Sequence, residues 1–395
     1  MKVSMMDNDK WLVDCSHMER QDKIEGYFLD KHLKNYFDDP IISTVEIETI
    51  NRCNNTCSFC PVSIDNERRQ YCEMTVELFN KIIDDLAELK YSGFISLFSN
   101  NEPMLDLRIF DFMKYAKNKL PLAKHSLFSN GSLITREKFS TMVELLDYLT
   151  INNYNDDLEV LPHLKWLTTD NIDEKDCAVR LMISKKNMIR SNRGGNAPNK
   201  KIETNFYSSC ILPFMQMVIR PDGKISLCCY EAYGEVTLGD LSVQSISDVW
   251  LSESYREIRK KLLTFGRNSL NKCKNCDKFG FHNFFPVEWP DVHMQSFVAE
   301  VKEKISEGKK IYIYPSNYSD SIESMLIQHG VHEIKKANEK SQVIYDSSVF
   351  IIFTSYCWDI IERIDPQNSL VGKKYVLYQD ISRLQVKQTR PKFDI

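Results

Sequence analysis

Three cysteines in one short stretch constrain this chain more than any other feature. Cys53, Cys57 and Cys60 have the spacing C-x3-C-x2-C, and residues 43–50 directly before them are rich in β-branched residues typical of a strand. Three thiolates from one loop can hold three irons of a cubane iron–sulfur cluster, which leaves the fourth iron open to a small molecule. The alternative is a zinc site, which usually takes cysteines in C-x2-C pairs and needs four ligands.

Composition excludes several classes of protein. The 395 residues allow two or three domains, and an apolar share of 43% predicts a normal globular core. A net charge of −4 without a block of basic residues argues against nucleic acid or a membrane as the main partner. The N-terminal residues show no signal-peptide pattern, and no apolar run reaches the roughly 18–20 residues that span a bilayer. Twelve cysteines in such a chain predict metal or redox chemistry in the cytoplasm rather than a disulfide framework.

Strand and helix patterns alternate between residues 43 and 200, with helices that begin after Thr75 and Thr135. The predicted strands are 43–50, 94–98, 125–129, 148–152 and 178–183. Repeated β–α units predict an α/β fold with a parallel sheet and right-handed crossovers. About six units fit an open partial barrel, in which the chemistry gathers at the carboxyl ends of the strands.

Polar turns follow the second and third predicted strands. The first contains Asn101, Glu102 and Pro103, and the second contains Ser129 and Asn130 followed by a glycine. Taken alone, each is an ordinary turn that needs no ligand. Because the two turns and the cysteine loop follow successive strands, we expect all three to lie at the same edge of the sheet.

The cysteine loop and these turns resemble the radical SAM (S-adenosylmethionine) enzymes. The resemblance implies a partial (β/α)6 barrel and a [4Fe–4S] cluster whose open iron binds SAM. In that family an electron from the cluster cleaves SAM into methionine and a 5′-deoxyadenosyl radical. A reductant such as flavodoxin or ferredoxin is then the expected protein partner.

The same resemblance assigns SAM-binding roles to six residues. Glu102 stands at the family's Gly-Gly-Glu or Glu-Pro motif, preceded here by asparagines, and is expected to pair with the SAM ammonium. Ser129 stands in a turn like the family's Thr-Asn-Gly and is expected to reach the ribose or carboxylate. Phe59 stands where the family keeps an aromatic residue beside the adenine. The full set is Phe59, Asn101, Glu102, Pro103, Ser129 and Asn130.

A second set of cysteines consists of Cys210, Cys228, Cys273 and Cys276. The first two flank a predicted β-hairpin, and the last two follow a long helix predicted over 247–263. A structural zinc site remains an alternative for these cysteines, because C-x2-C is a common half of such a site. The arrangement resembles the auxiliary-cluster (SPASM) module of many radical SAM proteins, in its shortened "twitch" form. That resemblance implies a second [4Fe–4S] cluster with four protein ligands, which transfers electrons.

Four regions are predicted along the chain. They are an N-terminal helical extension at 1–42, the radical SAM partial barrel at 43–200, a twitch/SPASM-like cluster domain at 201–288 and a small C-terminal Rossmann-like α/β domain at 289–395. The last has predicted strands at 310–314, 349–354 and 374–378 and predicted helices at 319–329 and 358–364. It lacks the glycine fingerprint that cradles a phosphate, because its first strand-to-helix loop is Pro315-Ser316-Asn317-Tyr318-Ser319.

The cysteine spacing also resembles aminocyclitol dehydrogenases of this family, over roughly residues 43–280. There an arginine upstream of the first auxiliary cysteine faces the substrate oxygen, and Arg193 has a comparable offset from Cys210. The resemblance implies oxidation of an alcohol to a ketone on a small carbohydrate-like substrate, a sugar, aminosugar or cyclitol. Arg193 is the predicted catalytic residue that stabilises the developing oxyanion.

Three other functions stay open. A radical epimerase of a carbohydrate needs a thiol that returns a hydrogen, and Cys229 is the first of the spare cysteines. A peptide-modifying maturase is disfavoured, because the chain has no recognisable N-terminal peptide-recognition domain. An iron–sulfur electron carrier or redox sensor does not explain SAM-like motifs at three successive strand ends.

Overall fold

The structure is a computed structural model, and its elements form two separate β-sheets. The residues it describes are 2–6, 33–34, 37–38, 40, 42–64, 68–170, 177–188, 191–198, 208–278, 291–314, 320–337, 348–353 and 375–377. None of the helices in these ranges has the length and apolar character needed to cross a bilayer.

The larger sheet carries both cysteine sets. Its strands are β1 (Lys2–Met6), β2 (Thr44–Ile47), β3 (Phe94–Ser96), β4 (Lys124–Ser129), β5 (Tyr148–Tyr154), β6 (Ala178–Ser184), β7 (Gln216–Ile219), β8 (Lys224–Ser226) and β9 (Thr237–Asp240). They lie in the order β1-β6-β5-β4-β3-β2-β7-β8-β9. Strands β1 to β7 pair in parallel, and β8 and β9 are antiparallel to their neighbours. The predicted α/β class with a parallel sheet is confirmed.

The helices of this part begin at the predicted caps. The Thr75 hydroxyl accepts a hydrogen bond from Leu78 N, and the Thr135 hydroxyl accepts one from Lys138 N, each at 3.2 Å. The α-helices of the structure are Pro61–Ile64, Val76–Glu88, Ile109–Lys119, Arg136–Leu145, Trp166–Thr169, Leu212–Met215, Ile246–Trp250, Glu253–Phe265, Asp291–Ser306 and Asp320–Gln328. Short 3-10 helices cover Pro103–Leu105, Pro162–Leu164 and Arg267–Ser269.

The main core lies between the sheet and these helices. Val45 and Leu127 of the strands and Phe79 and Ile82 of the helix Val76–Glu88 are fully buried. Phe79 stacks on Phe112 of the next helix, with ring centroids 4.2 Å apart. Burying each such side chain stabilises the fold by about 1.5–3 kcal/mol, so the strand ends above this core are held in place.

The N-terminus differs from the prediction. Residues 1–42 were expected to be a peripheral helical extension, but Lys2–Met6 form β1, which pairs with Arg180–Ser184 of β6. The start of the chain therefore extends the parallel sheet beside β6, while β7, later in the chain, extends it beside β2. Lys2–Met6 contains one β-branched residue, Val3, and its pairing with β6 is non-local, so the sequence pattern did not reveal this strand. Residues 7–32 lie outside the described ranges.

The second cysteine set is attached to the same sheet. β7 pairs in parallel with β2 over Thr44–Ile47, and the predicted hairpin β7–β8 follows. The single helix predicted over 247–263 is wrong, because the chain forms two helices, Ile246–Trp250 and Glu253–Phe265. The Ser252 hydroxyl accepts from Tyr255 N at 3.4 Å, so a new helix starts where a continuous one was expected.

The smaller sheet lies near the C-terminus. Its strands are β10 (Lys310–Tyr314), β11 (Ile334–Lys336), β12 (Val349–Phe353) and β13 (Tyr375–Leu377), all parallel in the order β11-β10-β12-β13. Three of these strands were predicted, whereas β11 and the helix Asp291–Ser306 were not. The predicted helix 358–364 lies outside the described residues, and the Rossmann-like assignment stays a prediction.

Candidate cluster and cofactor site

The first cysteine loop lies after β2, as predicted, and hydrogen bonds fix its shape. Cys57 is buried, and Cys53 and Cys60 are partly buried. Cys60 N donates to Cys57 O at 3.0 Å, and the Ser63 hydroxyl donates to the same carbonyl at 3.0 Å. Ser58 N donates to the Lys186 carbonyl at 3.1 Å, which ties the loop to the segment after β6.

These thiols fit a metal cluster by their chemistry. Burial raises the pKa of Cys53 to about 12, and the nearby Glu102 and Cys60 contribute to the rise. Asn130 Nδ2 lies 3.9 Å from Cys53 Sγ and donates to it. A cysteine with such a pKa keeps its proton at neutral pH unless a metal replaces that proton and balances the thiolate charge.

Glu102 joins three strand-end segments. Its carboxylate is 2% exposed and accepts hydrogen bonds from Met104 N at 3.1 Å, the Ser129 hydroxyl at 2.8 Å and Asn130 N at 2.7 Å. Its own N–H donates to Arg52 O at 2.8 Å, next to the cysteine loop. Oε1 accepts two of the bonds and Oε2 one, so Oε2 keeps room for a further donor. Pairing with the SAM ammonium stays a prediction.

Ser129 and Asn130, two of the neighbouring predicted residues, make hydrogen bonds that stabilise the turns, whereas Asn101 has a donor that no described residue uses. The Ser129 hydroxyl accepts from Gly131 N at 3.1 Å besides donating to Glu102, and Asn130 Nδ2 donates to Asn54 Oδ1 at 2.8 Å. Asn101 Oδ1 accepts from Ser99 N at 3.1 Å. Among the residues that the structure describes, the buried Asn101 Nδ2 finds no hydrogen-bond partner. An unpaired buried donor costs about 1–3 kcal/mol, so Nδ2 is available to a ligand acceptor, and its contact with SAM stays a prediction.

Apolar contacts and a proline complete this edge. Phe59 packs with Tyr154 at a centroid distance of 5.6 Å and with Met188, beside the buried Cys57. Pro103 is buried and begins the 3-10 helix Pro103–Leu105. The structure thus brings the first three cysteines and all six predicted SAM residues to one edge of the sheet.

The four cysteines of the second set converge, as predicted. They line an open pocket together with Leu212, Pro213, Leu227 and Arg267. Burial raises the pKa of Cys228 well above its usual value, and the thiols of Cys229, Cys273, Cys276 and Cys210 raise it further. Thiols that affect one another in this way fit a shared cationic metal centre.

Within the described ranges, no three His, Cys, Asp or Glu side chains are placed to hold one metal ion. That does not count against a cubane, since each of its cysteines binds a different iron.

A buried polar group that the sequence analysis missed lies close to Arg193. Arg193 Nη2 donates to Asn100 Oδ1 and to Cys229 O, the latter at 3.4 Å. Gln216 Nε2 donates to Glu46 Oε1 at 2.8 Å, and Cys229 N donates to Gln216 Oε1 at 3.3 Å. Within the described residues, Glu46 Oε2 and Arg193 Nε are buried without a hydrogen-bond partner. These two atoms can bind a polar ligand.

Opposing effects set the pKa of the Glu46 carboxyl. Burial raises the pKa of its carboxyl to about 7, while Ser99, Arg193 and Gln216 act in the opposite direction. Glu48, two residues on, makes a buried ion pair with Arg69 and accepts from Asn100 N at 2.6 Å. Two acids alternating with apolar residues in a buried parallel strand are unusual, and this is the signal that would have revealed Glu46.

Comparison with known proteins agrees with this geometry. The profile of the radical SAM superfamily matches residues 47–172, and that of an iron–sulfur cluster-binding domain, SPASM, matches residues 210–277. A curated relative, the S-adenosyl-L-methionine-dependent 2-deoxy-scyllo-inosamine dehydrogenase of Niallia circulans, is 27% identical over 241 residues, which cover 60% of this chain and 94% of the relative.

A solved structure is also similar. The crystal structure of BtrN in complex with AdoMet and 2-DOIA aligns with a TM-score of 0.54 at 25% identity, over 61% of this chain and 94% of BtrN. The smaller C-terminal sheet begins at Lys310, beyond both matched profiles.

Proposed function

Because the chain carries a radical SAM domain and a SPASM iron–sulfur cluster-binding domain, we propose that it oxidises a secondary alcohol of a small cyclitol or aminosugar to a ketone. The observation that carries this proposal is that, within the described part of the chain, Glu46 Oε2 and Arg193 Nε are buried without a hydrogen-bond partner beside the second cysteine set. The curated relative that shares 94% of its own length with this chain is an aminocyclitol dehydrogenase.

The two domains imply SAM and two [4Fe–4S] clusters, as predicted. Cys53, Cys57 and Cys60 would hold the first cluster, and the four cysteines that line the pocket would hold the second. When bound, SAM and the clusters supply a 5′-deoxyadenosyl radical that removes a hydrogen atom and an acceptor that takes one electron. The alcohol loses one hydrogen atom, one electron and one proton in total, so ketone and 5′-deoxyadenosine form in equal amounts.

Arg193 is held in a fixed position for a substrate oxygen. Its guanidinium donates to Asn100 and to the Cys229 carbonyl and lies 5.0 Å from the ring centroid of Tyr230. Tyr230 also lines the pocket of the second cysteine set. A fixed cation at this place stabilises negative charge that develops on the substrate oxygen as its proton leaves.

Glu46 is the group that takes this proton. It accepts from Gln216 through Oε1, so Oε2 is the oxygen available to a substrate hydroxyl. The titratable or charged groups that act on it are Arg193, Glu48 and Cys229. A base with a pKa of about 7 combines a useful ionised fraction at neutral pH with proton affinity.

A second candidate function is epimerisation at the same carbon, and Cys229 favours it. Its thiol interacts electrostatically with Glu46 and Arg193, and burial raises its pKa to about 12. A thiol that keeps its proton can return a hydrogen atom to a substrate radical. The sequence of events up to hydrogen removal is the same, so only the product distinguishes the two functions.

Anaerobic turnover in D2O separates them. 2-Deoxy-scyllo-inosamine, other cyclitols and aminosugars are offered in turn to the reconstituted protein with SAM and dithionite. The proposal expects a product two hydrogens lighter than its substrate, one 5′-deoxyadenosine per product and no deuterium at the oxidised carbon. A product of unchanged mass apart from one deuterium at that carbon would instead establish the epimerase.

A further inference from the structure

Asn192 is a buried residue directly before Arg193, and it has no part in the chemistry described above. The residue is 0% exposed and belongs to neither cysteine set nor to the predicted SAM contacts. A buried side-chain amide destabilises the fold unless its hydrogen bonds are made. The partners of Asn192 therefore show what this side chain holds in place.

The hydrogen bonds of Asn192 reach the residues on both sides of Cys276. Its Nδ2 donates to the Asn275 carbonyl, and its Oδ1 accepts from Asp277 N at 3.2 Å. Its backbone N–H donates to Asp277 Oδ1 at 2.8 Å. Cys276 thus lies between two residues that one asparagine binds, although these residues are 83 and 85 positions away from it along the chain.

The loop around Asn192 is also fixed by hydrogen bonds. Ala197 N donates to Asn192 O at 2.9 Å, and Asn196 N donates to Arg193 O at 3.1 Å. They close a turn in which Arg193 has a φ of +52° and Gly194 a φ of +61°, both in the left-handed region. An arginine is strained in that region, so the bonds of its neighbours maintain the turn.

The bonds within the C-x2-C pair do not by themselves place Cys276 relative to the rest of the site. Cys276 N donates to Cys273 O at 3.0 Å, which shapes the turn between these two cysteines. Connections to other segments come from Arg267 Nη1, which donates to Cys276 O at 3.0 Å, and from Asn192 on the residues either side. A four-cysteine cluster needs all its thiolates in fixed places, and groups that orient a ligand add to metal affinity.

We propose that Asn192 is a positioning residue that holds Cys276 in place for the second cluster. The inference rests on the second cluster of the proposed function and needs no statement about which alcohol is oxidised. Because Arg193 is the next residue, the same bonds connect the second cysteine set to the predicted catalytic residue.

The test follows the second cluster without any turnover. In the full chain, replacing Cys53, Cys57 and Cys60 by Ala removes the first cluster, so that all remaining iron belongs to the second. Asn192→Ala removes both side-chain bonds, whereas Asn192→Asp keeps the size and places an oxygen in front of the Asn275 carbonyl. After anaerobic reconstitution, the iron content is measured, and the release of iron to bathophenanthroline is followed over time.

Asn153→Ala is the matched control. Asn153 is also 0% exposed and also binds backbone groups, since its Nδ2 donates to Glu159 O at 2.9 Å and its Oδ1 accepts from Leu161 N at 2.8 Å. Its partners belong to neither cysteine set. The control therefore reports what the loss of a buried, fully bonded asparagine does to the fold alone.

Both Asn192 variants should take up less iron than the parent or release it about tenfold faster, the usual scale for the loss of a group that orients a metal ligand. Asn153→Ala should lower the melting temperature but release iron at the parent's rate. Uptake and release like the parent's in both Asn192 variants overturns the proposal, and so does equally fast release in Asn153→Ala.

Folding is checked first by circular dichroism. If Asn192→Ala does not fold, Asn192→Asp decides alone. If neither variant folds, Asn192 supports the fold in general and the proposal is overturned. Faster iron release from the Asn192 variants of a protein that oxidises no alcohol would contradict only the proposed function.

Discussion

At the level of single residues, Glu102 meets two demands with one carboxylate. Three donors from its own chain hold it between the strand ends, and one position at Oε2 is left for a ligand. Burial raises its pKa, so the internal donors and a ligand cation are what favour its charged form. A side chain of this kind is both a brace for the cofactor edge and a candidate partner of the SAM ammonium.

Glu102→Ala should therefore weaken SAM binding by about 1.5–3 kcal/mol, the usual value for a hydrogen bond to a charged group. Calorimetric titration of the reconstituted protein with SAM measures this. Glu137→Ala, an exposed carboxylate in the first turn of its helix, is the control and should leave the affinity unchanged. Equal SAM affinity in wild type and Glu102→Ala would show that the carboxylate only braces the turn.

Glu46 gives a pH-dependent prediction at the same scale. Its pKa is raised to about 7, so the carboxyl is protonated below that pH and ionised above it. If it accepts the hydroxyl proton, ketone formation falls as the pH drops below about 7, and Glu46→Gln removes both most of the rate and this pH limb. The ratio of ketone formed to deuterium transferred to 5′-deoxyadenosine tests this, when it is followed from about pH 5.5 to about pH 8.5 in steps of about half a unit. The same acidic limb in Glu46→Gln would assign the proton to another group.

At the level of elements, local patterns predicted most of the strands and helices but not their long-range partners. β10 matches its predicted bounds, and the caps at Thr75 and Thr135 form as expected, because each depends on residues close in sequence. β1 was missed because its strand character comes from pairing with β6. The seven cysteines could be grouped by spacing, whereas Glu46 acquires its role only from neighbours far along the chain.

β1 itself can be tested by proline. Its five residues pair with β6 in register, so a proline within it removes a ladder hydrogen bond or clashes with the neighbouring strand. Val3→Pro and Ser4→Pro should lower the melting temperature, one more than the other, because successive N–H groups point to opposite sides. Differential scanning fluorimetry measures this, with Leu107→Ala, at 94% exposure, as the control. Two proline variants that melt like wild type would contradict the sheet position of β1.

At the level of the whole molecule, one sheet supports both cysteine sets. β2 leads into the first cysteine loop and pairs with β7, which begins six residues after Cys210. Asn100 Nδ2 donates to Cys229 O at 3.1 Å, a direct bond between the cofactor edge and the second site. The two sites therefore have a fixed relation, as electron transfer between a substrate and a second cluster requires.

The iron content follows from this arrangement. Two cubanes predict about eight irons per chain, and replacing Cys53, Cys57 and Cys60 by Ala should leave about four and abolish SAM cleavage. Iron and zinc analysis after anaerobic reconstitution measures this, with Cys177→Ala, a buried cysteine away from both sets, as the control. Zinc in place of iron at the second site would contradict the electron-accepting role.

The most direct test of the central claim is product analysis of Cys273→Ala/Cys276→Ala with a substrate deuterated at the reacting carbon. Circular dichroism first establishes that the variant is folded. An iron content of about four, the number in one cubane, then establishes that the first cluster is loaded. The account predicts that 5′-deoxyadenosine gains the deuterium while no ketone two hydrogens lighter than the substrate is formed. Ketone formation at the wild-type rate in this variant would contradict the account, because the electron would then leave the substrate without the second cluster.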